Sequence, residues 1–127
     1  MFVSLPIVLL MAVSAFQAPD DPIENACYQA DHSQQAMNRC AGEAYQRADQ
    51  ALNAQWSKVL ARYDDPESKK LLLDAQRVWL KYRDAHCQLA ALDSRGGSIW
   101  LLLNSGCLAS LTRRRTQELK ELIDGVE

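Results

Sequence analysis

Residues 74–87, DAQRVWLKYRDAHC, constrain the fold of this chain more than any other stretch. They join a helical hydrophobic period to a cysteine. Leu71, Ala75, Val78, Trp79, Tyr82, His86 and Leu89 recur at steps of three and four, which places them on one helix face. Lys70, Asp74, Arg77, Lys81 and Asp84 fall on the other face. Of the neighbour pairs Asp74–Arg77 and Arg77–Lys81 only the first joins opposite charges, and it contributes a few tenths of a kcal/mol at most. Trp79 and Tyr82 can each cover about 150–250 Å². Burial therefore outweighs charge, and the Leu71–Trp79–Tyr82 face is expected to turn inward.

The compartment follows from the N-terminus. Residues 2–16 are uncharged and apolar apart from Ser4 and Ser14, and the run is shorter than the ~20 residues of a membrane span. Val13, Ser14 and Ala15 offer small residues for a signal peptidase, so residues 1–15 read as a signal peptide with cleavage after Ala15. Cleavage after Ala18 is the second choice, and a retained N-terminal anchor is the alternative to cleavage. The run lacks the usual leading Lys or Arg. Asp20, Asp21 and Glu24 separate Cys27 from the apolar run, which argues against a lipid anchor. A periplasmic or secreted protein, free of the membrane after cleavage, is expected.

In an oxidising compartment the even set Cys27, Cys40, Cys87 and Cys107 implies two disulfides. Four cysteines allow three pairings. Cys27–Cys40 with Cys87–Cys107 is favoured, because each then closes a short loop, worth about 3 kcal/mol in the chain-entropy model. Zinc is the competing reading, with His32 and His86 as further ligands, but no Cys-x-x-Cys spacing supports it. No metal and no cofactor is expected.

The chain has 127 residues, 48% of them hydrophobic, enough for one domain around one core. A formal net charge of −2 argues against a nucleic-acid binder. Residues 16–32 read as a leader tied by a disulfide. Within it Pro19 to Pro22 is expected to be extended, and residues 23–31 irregular or a single turn.

Residues 33–127 read as the helical domain. A first long helix starts near Ser33, with Met37, Ala41, Ala44, Tyr45, Ala48, Leu52, Trp56, Val59, Leu60 and Tyr63 on its apolar face; Gly42 could break it. Asp65 and Pro66 read as N-cap and first residue of a second helix running to about Leu92. Gly96 and Gly97 end that helix in a turn, since a phosphate loop would need a preceding strand and a lysine. Ser98 is the expected cap of a third helix ending near Asp124. Its start, residues 99–103, is apolar all round, hence buried on several sides or an exposed patch. Arg113, Arg114 and Arg115 read as a solvated face paired with Glu118 and nearby acids, ahead of an anion site. Trp56, Trp79 and Trp100 fall one per helix, as in a shared core. The fold class is all-α: three long helices in an up-down-up bundle, stapled by disulfides.

An ordered set of motifs resembles the lysozyme-inhibitor LprI-like N-terminal domain family. It comprises Gln76, Arg77, Trp79, Tyr82, Arg83, Asp84 and Cys87, then Gly96-Gly97-Ser98, then Cys107, Leu111, Thr112, Arg115 and Leu119. The early cysteine pair and an Ala-x-x-x-Leu-Asn stretch from Ala48 to Asn53 fit as well. The resemblance implies a small secreted or lipid-anchored bacterial helical domain held by disulfides. For the member that gives the family its name, it implies lysozyme inhibition. It carries no catalytic residues. Gln76, Arg77, Trp79, Tyr82, Arg83, Asp84 and Arg115 are expected to be structural.

Three function classes follow. The first is a protein-binding inhibitor of lysozyme, with Arg95, Gly96, Gly97, Trp100, Arg113 and Arg114 as candidate contacts to an acidic cleft. The second is a cell-envelope structural or sensing module that binds another protein or a cell-wall fragment. The third, an enzyme, is disfavoured. His86 sits on the expected apolar face, where a core role is commoner. Ser94, Ser98 and Ser105 lack a nucleophile motif, and Asp64 and Asp65 lie in a turn.

Overall fold

A computed structural model describes residues 20–125. The signal-peptide reading of residues 1–15 lies outside them. The elements are α1 (Pro22–Ala30), α2 (Gln34–Arg62), α3 (Pro66–Ala90), a 3₁₀ turn (Leu92–Ser94) and α4 (Trp100–Asp124). The fold is all-α, with the three long helices joined by a short fourth.

That fourth helix, α1, corrects the expectation of an irregular leader. The Asp21 carboxylate caps it by accepting from the backbone N–H of Ile23 and Glu24, and Pro22 occupies its first turn. The same Asp-Pro signal opens α3, where Asp65 accepts from Ser68 at 2.9 Å. Nine residues do not hold a helix alone. Cys27–Cys40 ties α1 to α2. Arg47 meets Asp21 at 2.8 Å and Arg113 meets Glu24 at 3.1 Å, adding α2 and α4 as anchors.

The long helices divide the packing unequally. α2 buries Ala36, Cys40, Ala41, Ala44 and Ala48, then Leu52 and Val59, while α4 buries Ala109, Leu111, Thr112 and Leu119. Small side chains along the first half of α2 let α4 come close. The two run in the same direction. Asn38 Nδ2 donates to the Ser98 carbonyl at 2.8 Å near their starts. The Tyr63 hydroxyl donates to the Leu122 carbonyl at 2.8 Å near their ends. Leu52, Val59 and Leu119 form the apolar core, with Trp56, Tyr63, Leu72, Trp79 and Ile123 packed on it. Gly42 does not break α2.

α3 turns the other way from expectation. Leu71, Val78, Tyr82 and Leu89 are 63, 67, 55 and 70% exposed. His86 is exposed too, tilted against the Tyr82 ring at 5.5 Å. Gln76, Arg83 and Cys87 are buried instead, with Leu72 and Trp79 half-buried. The physical reason is that α4 supplies partners for these polar groups, so burying them carries little penalty. α4 also starts differently. Its N-cap position is Ile99, with no side-chain cap, and Ser98 serves through its carbonyl as acceptor for Asn38.

Candidate functional surface

The buried polar residues of α3 form a belt with α2 and α4. Arg83 donates through Nη1 to Thr112 Oγ1 at 3.4 Å, and its guanidinium lies over the rings of Tyr45 and Trp79, 5.5 and 5.2 Å from their centroids. Arg115 lies 5.9 Å from the Trp79 centroid and donates through Nε to Gln76 Oε1 at 2.9 Å. Two cations on one indole need nearby negative charge. Asp84 reaches Arg83 at 2.9 Å, and Glu118 reaches Arg115 at 2.9 Å. Five family-motif residues, Gln76, Trp79, Arg83, Thr112 and Arg115, are thus brought together. Arg77 and Tyr82 are exposed and outside the belt; Asp84 is exposed at its edge.

Both disulfides sit in the half of the bundle that carries the α3–α4 connection. Cys40 is in the second turn of α2, Cys87 in the last turn of α3 and Cys107 early in α4. The pairing is Cys27–Cys40 and Cys87–Cys107, with Cα separations of 5.7 and 5.5 Å, and no cysteine is free. Among the described residues no cluster of His, Cys, Asp or Glu is arranged to hold a metal.

The connection is a tightly bonded turn. Arg95 N donates to Leu92 O at 3.2 Å, Gly97 N to Ser94 O at 2.9 Å and Trp100 N to Gly97 O at 3.3 Å. Gly96 has φ +81°, which favours glycine, and a Cβ on Gly97 would meet the Ser94 carbonyl at 3.2 Å. With Asn38 holding Ser98 and the disulfide behind it, the turn is fastened on both sides. It presents Arg95, Gly96 and Gly97 to solvent. Ile99, Leu101 and Leu103 follow, 41, 52 and 38% exposed, so the all-apolar start of α4 is exposed on two sides, Ile99 and Leu103 on one and Leu101 on the other. Trp100 is half-buried beside a shallow groove shared with Asp84, Gln88, Asn104 and Leu108, away from the core that holds Trp56 and Trp79.

The arginine cluster pairs with Glu118 as expected, and with Glu24, but it is not the solvated face expected of it. Arg113 ties α4 to Glu24, Arg115 points into the belt, and Arg114 is half-buried with its Nε shielded from solvent. Sequence reasoning missed the α1 anchors Asp21, Glu24, Tyr28 and Arg47. The Asp21-Pro22 pair was the signal available. Burial and the hydrogen bond it donates to Glu24, 2.7 Å long, push the Tyr28 phenol well above the ordinary tyrosine range.

The family model for the lysozyme inhibitor LprI matches residues 25–119. The chain belongs to the LprI family. An uncharacterized protein of Rhizobium meliloti (strain 1021) is 41% identical over 107 residues, covering 75% of this chain and 77% of the relative. No solved structure matches. The LprI match takes in both disulfides, the polar belt and the fastened turn. Asp21 and the last turn of α4 fall outside it. Among the described residues no helix is long and apolar enough to cross a membrane.

Proposed function

We propose that this chain is an exported, non-enzymatic binding protein of the cell envelope that inhibits lysozyme, with the turn at residues 95–99 as its contact. The observation that carries this reading is the turn itself: doubly fastened, glycine-bearing and tipped by an exposed arginine. Glycosidase clefts of this kind are lined by a pair of carboxylates. A pre-ordered turn enters such a cleft without a large ordering cost, and Arg95 supplies a guanidinium suited to carboxylate. Gly96 and Gly97 keep the backbone narrow behind it, and the Trp100 backbone N–H donates to the Gly97 carbonyl at 3.3 Å. The LprI family match supports the choice of lysozyme as partner.

The test is lysozyme-driven lysis of cell walls titrated with the purified, disulfide-bonded protein. Inhibition at low micromolar concentration is expected, and Arg95→Glu should weaken it about 10-fold or more without changing the circular dichroism spectrum. Full lytic activity at micromolar excess of the wild-type protein rejects the reading.

The exposed Ile99, Leu101 and Leu103 favour a second reading, in which the same end of the bundle docks on another envelope protein or a cell-wall fragment. Capture of a periplasmic partner that Leu101→Asp abolishes, with lysozyme unaffected, would select it.

A further inference from the structure

α3 carries a second apolar stripe that its own bundle leaves uncovered. Leu71, Ala75, Val78, Tyr82, Ala85 and Leu89 follow one another at steps of four and three, and all six are exposed. That alternation is the seam of a two-helix coiled coil. At about 100° per residue the stripe lies about 120° around α3 from the buried line of Leu72, Gln76, Trp79, Arg83 and Cys87. A helix approaching it comes in to one side of α2 and α4 and adjoins them at the groove that Leu71 and Ala75 share with Tyr63, Arg115 and Leu122.

We infer that this face of α3 is the docking surface for α3 of a second copy, packed antiparallel about a two-fold axis. Charge selects the occupant and the direction. On the outer flank of the seam the residues are Asp74, which also meets Lys70 of its own helix at 2.8 Å, Lys81 and Gln88; on the inner flank they are Leu72 and Trp79, already committed to the chain's own core, and the exposed His86. A parallel pair would place outer-flank charges against the inner flank, where no opposite charge waits. An antiparallel pair sets outer flank against outer flank. Asp74 then meets Lys81 of the second copy, and the two-fold axis repeats the pair in reverse. The same register sets Leu71 against Tyr82 and Ala75 against Val78, so that two small layers lie between two large ones, while Ala85 faces Ser68 and Leu89 stays at the rim beyond the start of the opposing helix. Sliding by one heptad would set Leu71 against Leu89 and Val78 against Tyr82 but would oppose Lys81 to its own copy and leave Asp74 facing Gln88, so charge fixes the register. This surface is independent of the turn at residues 95–99 and of what that turn binds.

The experiment is sedimentation equilibrium of the purified, disulfide-bonded protein from about 5 to 500 µM, a range suited to a small exposed interface. A concentration-dependent dimer is expected. Val78→Glu should leave a monomer with unchanged circular dichroism and thermal midpoint. Lys81→Asp should weaken the dimer about 5–10-fold by setting two like-charge pairs across the axis. Asp74→Lys combined with Lys81→Asp should restore wild-type affinity to within about 2-fold, because it re-creates both pairs reversed. A wild-type protein monomeric at every concentration, including one whose α3 face is covered by a different protein, overturns the inference. So does a dimer that Val78→Glu leaves intact, or a double reversal that fails to restore.

Discussion

Arg115 donates its Nε–H to the Oε1 of Gln76, joining α4 to α3 through a 2.9 Å bond where Gln76 is 9% exposed. The bond closes one end of the belt around Trp79. It also explains how α3 can bury an amide and a guanidinium while leaving leucines outside. Removing the acceptor leaves a cationic donor short of a partner in a partly desolvated site. Gln76→Ala should therefore cost about 2 kcal/mol. Gln76→Glu should cost less, since it keeps an acceptor and adds opposite charge. Urea unfolding of the three proteins side by side checks this.

Arg83 tests the other end. Its side chain is 9% exposed and meets Thr112, Asp84 and two aromatic rings. Arg83→Ala should cost about 2–4 kcal/mol, since it strips both stacking and hydrogen bonds from the interface. Arg83→Lys keeps charge and most of the length but not the flat fork, and should recover less than half of that loss. Thermal melts give the magnitudes. Near-ultraviolet circular dichroism should show the Trp79 signal reduced in both variants.

The two disulfides should differ in what they release. Each closes a short loop, of 13 and 20 residues' separation, so each should stabilise by about 3 kcal/mol. Replacing Cys27 and Cys40 by serine should free α1, whose remaining anchors are the Asp21 and Glu24 ion pairs, and leave the core intact. Replacing Cys87 and Cys107 by serine should loosen the end of α3 and the turn at residues 95–99. Hydrogen exchange distinguishes the outcomes: protection lost over 22–30 in the first variant, over 84–100 in the second.

Acid should detach α1 before the rest. Burial pushes the Asp21 carboxyl up, but hydrogen bonds from the Glu24 backbone N–H and from Arg47 outweigh it and hold the group below its ordinary value of 3.8. A carboxyl depressed in the folded state contributes stability that is full above its unfolded value and lost as pH falls through its folded one. Amide protection in α1 should thus hold at neutral pH and decline below about pH 4. Asp21→Asn should lower protection at pH 7 and flatten that decline, as hydrogen exchange across a pH series will show.

The starts of α2 and α3, the turn after α3 and the crosslinks were legible in the residues themselves, whereas α1 and the cap of α4 were not. Ser33 caps α2, Asp65 and Pro66 start α3, Gly96 and Gly97 turn the chain, and the cysteines pair as loop length favours. Each of these rests on chemistry confined to neighbours in sequence or on short loops. The apolar face of α2 was legible for a related reason: its Ala-rich stripe has no rival on the same helix. α3 has two stripes. One is richer in leucine and valine, the other carries Gln76, Trp79 and Arg83, and hydrophobic period alone prefers the first. The second is inside because Thr112 and Arg115 of α4 and Tyr45 of α2 meet those polar groups there. Those partners lie about 30 or more residues away, so only tertiary packing decides which face of α3 is core and which is left exposed.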